Sequence, residues 1–509
     1  LSDWSSDVCS SDLNYGRLDD YLGPYLVADL ESGRLTDEEA YRYIHSLWTM
    51  IENRRTTVNG RIIVGGKGRK HPKEADVFLH IAMKVAKNCR YVEPQFTLRF
   101  DKDTSEEIWD EALDALGAGA TYPTLYNDDV NVPAVMYGMR VDEKAAEQYV
   151  PFGCTEFVIQ GQSTGTPNIC INLLKLLTIY MNDGIDPIDG KRKSGPVPLK
   201  KLEEYQTFEE FYDGYKALLD YYLDLSVKAQ YHSYEVMNQH VSFLFTSLLT
   251  DDCIARGKAL LDGGVRYLGG TNETYGNINT SDSLWVIRDL VFNQKKYTLR
   301  QLNDAMLANF NGYEALRKDC LNCDKYGNDL ETADTMANDL YEFVAKGVRD
   351  RGIAIGMQYF LIVISNNQLN TEWGNRTAAS PDGRLSCMYM NPANNPQGGA
   401  NKSGPTAMLN SLAKFDAKYH GGSVQNIKFS PSMFNENRAV IKSLFKTYFA
   451  KGGCHLMVTV VDKGVLEDAV EHPENYPDLI VRVSGFSAVF VDLSPNIQQE
   501  LLSRVLYDE

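Results

Sequence analysis

Residues 481–493 read VRVSGFSAVFVDL. Val481, Val483, Phe486, Ala488, Val489, Phe490 and Val491 make an apolar run rich in strand formers, which predicts a buried segment. Gly485 interrupts the run at its centre. A glycine there adds backbone entropy to be lost on folding and supplies nothing to pack, so the position must need something that a side chain would defeat.

The chain around this stretch has 509 residues, 43% hydrophobic and 23% charged, enough for a large core and more than one domain. A formal net charge of −17 and the lack of a basic run argue against a nucleic-acid partner. No apolar stretch reaches membrane-spanning length and no signal peptide is legible, so a soluble cytoplasmic protein is expected. Nine scattered cysteines make no disulfide framework. Cys320 and Cys323 form a lone CxxC in RKDCLNCDKYGND, and half a zinc motif reads as a loop rather than a metal site. No metal is expected.

The opening LSDWSSDVCSSDL is Ser/Asp-rich, has no initiator Met and joins nothing that follows, so residues 1–13 are expected to be a non-native scar on a chain that began further upstream. From residue 14 the pattern is helix followed by short strand, an α/β rhythm. LTDEEAYRYIHSLWTMIENR carries a Thr36 cap and acids in the first turn. KEADVFLHIAMKVAKNC is a second amphipathic helix, and PQFTLRF and VPAVMYGM suit buried strands or loops at strand ends. Long helical regions are expected over roughly 200–262 and 296–350. Between them LLDGGVRYLGGTNETYGNINTSD reads as a loop with tight turns. The Pro/Gly/Asn/Ser-dense stretch 376–408 predicts a boundary before a small C-terminal domain that carries Gly485.

The second stretch that bears on chemistry is YVPFGCTEF, residues 149–157. Read alone, Cys154 is a core cysteine beside a surface glutamate, since free cysteines are commonly buried and inert. A thiolate hydrolase would need a neighbouring base, and no histidine is adjacent.

Together, RVSGF near the C-terminus and a GCxE loop far upstream resemble the glycyl radical enzymes, the family of pyruvate formate-lyase and its relatives. YNDDVNVPAV, LLDGGVRYLGGTNETYGNINTSDSL, KYGND, SPDGR, GANKSGPTAML, NIKFSPSMF and GGCHLMVTVVD follow that family's pattern in order, so the resemblance covers residues 14–509. It implies a ten-stranded α/β barrel, its N-terminal part missing, over residues 14–387 and a glycine radical domain over 388–509. It also implies an answer at Gly485: its Cα is oxidised to a backbone radical, which must flatten and be approached closely, and only a residue without Cβ does this at low steric cost. The usual tyrosine after that glycine is Phe486 here. Cys154 would relay the radical as a thiyl, and Glu156 would move a proton at the departing group. No bound cofactor is implied; a separate radical S-adenosylmethionine enzyme with a 4Fe-4S cluster would install the radical. A small-molecule substrate and a homodimer at full length are the other partners implied.

Departures from the family narrow the branch. Thr155 follows Cys154, so the second, acyl-bearing cysteine of pyruvate formate-lyase is absent and the Cys-x-Glu dehydratase and lyase branches fit better. Carbon-carbon cleavage, as by a formate acetyltransferase or an arylacetate-type decarboxylase, stays open as the alternative, as does an inactive fragment. Phe157 stands where diol dehydratases have Pro, and Asn168 aligns with their substrate-holding Asp, so both are expected to bind substrate. The Gly485 and Cys154 loops are expected to meet in one interior, with residues 14 to about 70 poorly supported and apolar surface left exposed.

Overall fold

The computed structural model describes residues 14–54, 60–153, 155–164, 167–364 and 368–508. Its first strands are β1 (Gly16–Arg17), β2 (Ile62–Gly65), β3 (Phe96–Phe100) and β4 (Thr124–Asn127), each parallel to the next. All four are buried along their length; β2 (IIVG) reads as an apolar run, as expected of a parallel sheet covered on both faces, while β3 (FTLRF) alternates apolar residues with the buried Thr97 and Arg99. The hairpin β5 (Tyr149–Phe152) and β6 (Glu156–Ile159) comes next, followed by β7 (Pro167–Asn172), β8 (Gly269–Tyr275), β9 (Tyr359–Ile364) and β10 (His420–Ser423). β7 to β10 form a four-stranded parallel sheet in sequence order. β11 (Asn426–Phe429) and β12 (His455–Val460) are parallel to each other, and β12 joins β4 antiparallel, completing a six-stranded sheet. β13 (Ile480–Arg482) and β14 (Ser487–Val489) make a separate hairpin.

Among the described residues ten strands are thus present as six plus four. The two sheets are stitched by one extended segment. Val424 N donates to Ile364 O of β9 at 2.9 Å, and the next carbonyl, Gln425 O, accepts from Met457 N of β12 at 2.8 Å, so the chain passes between sheets within two residues.

Helices cover the outside. Thr36 caps Asp37–Glu52 with the reciprocal bonds the sequence predicts: Thr36 Oγ1 accepts from Glu39 N at 3.3 Å and Glu39 Oε2 from Thr36 N at 2.9 Å. Ala40, Ile44, Trp48 and Ile51 are its buried stripe. Phe208–His240, 33 residues long, buries Phe211, Tyr215, Leu218, Leu219, Leu223 and Val227 at helical spacing. Helices Leu299–Leu307, Glu314–Asn322 and Glu331–Ala354 fill the second expected region. Among the described residues no helix is long and apolar enough to cross a membrane.

Several local expectations are corrected. VPAVMYGM lies in the helix Asp128–Met139, whose N-cap Asn127 accepts from Asp129 N at 3.2 Å; Pro133 is taken up within it. The Gly/Asn-rich separator holds the buried strand β8 and the start of the helix Asn277–Val286. Cys320 sits in the helix Glu314–Asn322 rather than a loop, and burial pushes the thiols of Cys320 and Cys323 up to about 12 and about 11. The start of the described chain is firmly held. Arg17 donates to the carbonyls of Gly65 (2.9 Å) and Lys67 (2.7 Å), Asp19 accepts from Gly65 N (2.7 Å), and Asp20 accepts from Lys70 N and His71 N. Exposed apolar surface does occur, at Leu244, Phe245, Leu248, Leu249 and Ile254.

Candidate active site

The β5–β6 hairpin enters the interior and is anchored at base and tip. At the base Arg99 of β3, wholly buried, makes a two-bond pair with Asp128 (2.9 and 2.8 Å), donates to Tyr149 O at 2.8 Å and lies 4.0 Å from the Tyr149 ring centroid. Tyr149 Oη returns a bond to Asp128 at 2.8 Å. This gives the NDD motif a physical role: Asp128 locks the hairpin onto the sheet. At the tip Arg61, also wholly buried, donates to Gly153 O at 2.8 Å while held by Thr97 Oγ1 and Gln95 Oε1 at 2.8 and 2.5 Å.

Cys154 lies outside the described residues. Its neighbours are both in the left-handed half of conformational space, Gly153 at φ +48° and Thr155 at φ +116°. Glycine tolerates this, but a β-branched residue does so only under strain of about 1–3 kcal/mol. Gly153 serves a second purpose: a Cβ there would stand 2.8 Å from Glu156 Oε2, so its absence lets the Glu156 carboxylate fold back toward the tip. Thr155 is pressed against β10, where a Cβ on Gly422 (φ +138°) would collide with the Thr155 carbonyl oxygen.

Glu156 is buried. Phe157, next along β6, is buried and packs edge-on against Tyr149 and His420, with centroids 5.1 and 5.4 Å away. Asn168 is described only in its backbone. It sits in β7 where the register with β8 slips: Pro167 pairs with Thr271 and Ile169 with Asn272.

Gly485 is buried in the four-residue loop closing the β13–β14 hairpin, where Arg482 pairs with Ser487. Val483 N donates to Phe486 O at 3.0 Å, Arg482 Nη2 to Gly485 O at 3.0 Å, and Arg504 Nη2 to Val483 O at 2.5 Å. Val481, Val483, Phe486 and Phe490 belong to a small apolar cluster with Val461, Leu466, Ala469, Ile497 and Leu501. The apolar run read in the sequence is therefore a core of its own, and Gly485 is at its tip.

Both hairpins are anchored on the six-stranded sheet. Tyr126 of β4 is fully buried, and burial pushes its hydroxyl up to about 12 while the charges of Arg61, Arg482 and Glu156 act on it. Arg61, bonded to Thr97 of β3, holds the Glu156 hairpin, and Arg482, whose Nε lies 3.1 Å from Met457 Sδ of β12, holds the Gly485 loop, so both stretches are tied to strands of the six-stranded sheet. His455 of β12 stacks edge-on against Tyr126 at 4.5 Å.

Sequence reading missed several groups here. His455 Nδ1 accepts from Gln425 N at 3.2 Å and His420 Nδ1 from Gly422 N at 3.1 Å, which fixes both neutral rings with the proton on Nε2. Burial drives His420 down to about 4 and His455 well below its usual value. Glu273, buried in β8, accepts from Tyr275 Oη and lies 3.6 Å from Cys170 Sγ; burial first, then Glu273 and Glu156, raises that thiol well above the ordinary range. The signal for these residues was the strand period: Thr271, Glu273 and Tyr275 alternate along β8. Away from these strands, on the helices Pro72–Asn88 and Glu106–Gly117, the ligand atoms of His80, Glu107 and Glu111 lie within 4.8 Å of one another; these residues are part- or fully exposed.

The chain matches the family model for pyruvate formate lyase-like proteins over residues 9–369 and that for the glycine radical segment over 390–491. Among curated relatives it is 29% identical to trans-4-hydroxy-L-proline dehydratase of Clostridioides difficile over 506 residues, covering 96% of this chain and 64% of that protein. It is 27% identical to (2S)-3-sulfopropanediol dehydratase of Klebsiella oxytoca, covering 97% and 62%. The glycerol-bound B12-independent glycerol dehydratase of Clostridium butyricum superposes with a TM-score of 0.89 at 28% identity, covering 98% of this chain and 64% of that one. The chain thus spans a little under two thirds of the length of these relatives. Ordered motifs, ten strands in two sheets and a buried glycine hairpin agree with these likenesses, and the chain belongs to the pyruvate formate lyase-like family, with that family's glycine radical segment at residues 390–491.

Proposed function

We propose that the protein is a glycyl radical lyase or dehydratase, which uses a Gly485 radical and a Cys154 thiyl to eliminate water or another leaving group from a small polyfunctional metabolite. The observation that supports the reading is that the buried Gly485 loop and the Glu156 hairpin are both anchored on the six-stranded sheet, the first through Arg482 against Met457 of β12 and the second through Arg61 against Thr97 of β3. A radical relay needs proximity, a dry interior and backbone held in place from several sides. The relatives' names, two dehydratases among them, favour elimination.

In the resting cycle the Gly485 Cα radical takes the hydrogen atom from the Cys154 thiol. The thiyl then takes a hydrogen atom from substrate carbon, leaving a substrate radical. Glu156 gives its proton to the neighbouring hydroxyl or other group as it leaves and takes one back from the hydroxyl on the radical carbon, so that water departs, a carbonyl forms, and a neutral product radical and a protonated Glu156 remain. The product radical recovers hydrogen from Cys154, and the thiyl recovers hydrogen from Gly485. Asn168 is assigned to the substrate by hydrogen bonding, whereas Phe157, expected from the sequence to bind substrate, points away from Glu156 in β6 and packs in an apolar cluster with Tyr149 and Ile159, where it supports the hairpin. The radical itself is installed by a separate radical S-adenosylmethionine enzyme.

Anaerobic treatment with such an activating enzyme tests the proposal. A carbon-centred doublet split by one α-hydrogen is expected, with oxygen cleaving the chain at Gly485 and Gly485→Ala giving no signal. An activated protein that stays silent by electron paramagnetic resonance and intact in air would sink the assignment.

A further inference from the structure

We propose that Arg482 is a positioning residue for the glycyl centre, whose guanidinium holds the Gly485 carbonyl and draws spin density from Cα toward it. This rests on the reading of Gly485 as the radical position.

Arg482 is 1% exposed, and among the described residues it forms no salt bridge. Its Nη2 donates to Gly485 O at 3.0 Å, its Nη1 to Ser487 Oγ at 3.3 Å and its Nε to Met457 Sδ at 3.1 Å. The guanidinium lies 5.2 Å from the Tyr122 ring centroid, so its plane and aim are set from four sides. Burying such a cation costs several kcal/mol that an apolar side chain would not. Arg482 is one of two clasps on the hairpin: Arg504 also binds the Val483 and Arg482 carbonyls and is neutralised by Glu500 at 2.7 Å. The difference between the two arginines is their target: Arg504 grips the strand, and Arg482 grips the carbonyl of the residue to be oxidised.

An α-carbon radical in a peptide is shared between the electron-donating amide nitrogen and the electron-accepting carbonyl. A cationic donor on the carbonyl oxygen strengthens the accepting half. Activation breaks the Gly485 Cα–H bond homolytically, and the hydrogen atom goes to the 5′-deoxyadenosyl radical supplied by the activating enzyme, giving 5′-deoxyadenosine. No net charge moves, so Arg482 keeps its proton throughout.

The test activates the whole chain, labelled with carbonyl-13C glycine, alongside Arg482→Met and Arg482→Lys. Each radical is followed anaerobically and scaled to its own starting amplitude, which removes any difference in activation yield. Arg482→Met is expected to show a smaller carbonyl 13C splitting and decay about tenfold faster or more, a loss of ~1.4 kcal/mol in barrier. Its thermal midpoint should be no lower, since an unpaired buried charge is gone; Arg482→Lys should fall between. Wild-type splittings and lifetime in Arg482→Met overturn the proposal, and if that variant does not fold, the same result in Arg482→Lys does. A wild-type chain with no doublet sinks the Gly485 reading instead, a distinguishable outcome from a doublet indifferent to residue 482.

Discussion

The two hairpins that carry the proposed chemistry are secured in opposite ways. The β5–β6 hairpin is wedged by backbone: Gly422 gives up its Cβ to admit the Thr155 carbonyl, Gly153 gives up its own to admit Glu156, and Thr155 accepts a strained φ of +116°. The β13–β14 hairpin is clasped by side chains, with Arg482 and Arg504 reaching its loop carbonyls, and it stands on its own apolar cluster. On the proposed function, the hairpin assigned to atom transfer on substrate is the one fixed in the wall of the sheets. The glycine that the same proposal has reached by an activating enzyme sits on a small core joined to the sheets through side-chain bonds.

The most damaging way to break the first hairpin is chemical. Cys154→Ala should abolish turnover while Gly485 still accepts the radical, and Glu156→Gln, which keeps shape but loses the titratable proton, should cost at least ~10²-fold in kcat. Anaerobic turnover read beside the radical signal checks both; near-normal turnover in Glu156→Gln removes Glu156 from the mechanism.

A steric break comes next. Gly422→Ala drives a methyl into the Thr155 carbonyl, and overpacking of this kind costs about 1–3 kcal/mol. The displaced tip should lower kcat by more than the loss of folded protein explains, and calorimetry with single-turnover kinetics separates the two. An alanine on the clasped hairpin, as in Ser487→Ala, removes only one side-chain partner of Arg482 and should shift the thermal midpoint far less.

The mildest test uses acid. His420 is neutral in the fold with its value depressed from 6.5 to about 4, so the unfolded chain binds more protons between those values. The stability due to the buried neutral ring is complete above pH 6.5 and is lost as pH falls toward 4, at up to ~1.4 kcal/mol per unit. His420→Asn keeps an acceptor for Gly422 N and should flatten part of that slope in thermal midpoints. An unchanged slope would mean that the wedge is not held by a neutral ring.

How far the sequence spoke depended on which face of each strand it described. The Gly485 hairpin was legible because its apolar run and its single glycine conflict, and Thr36 was legible because a capping box is a local code. β8 was not, since Thr271, Glu273 and Tyr275 alternate with glycine, asparagine and threonine rather than with aliphatic residues; a strand lining a polar interior loses its hydrophobic signal. The Asp128–Met139 helix hid behind Pro133, whose usual helix-breaking effect is outweighed by an Asn127 cap and by Asn131 donating to Cys454 O at 2.8 Å. Arg61, Arg99 and Arg482 carry no local signal in the sequence, and only their three-dimensional partners show them to be enclosed struts.

The antiparallel seam between β4 and β12 has a consequence in time. It joins Leu125 and Tyr126 to Leu456 and His455, more than three hundred residues further along the chain, and pairings of such separation close slowly because loop entropy is spent before any contact repays it. Local hairpins and helix pairs gain their contacts first. The Tyr126–His455 contact is therefore expected among the later pieces to form during folding, and on the proposed function a half-folded chain would have no matched pair of loops for a radical to cross.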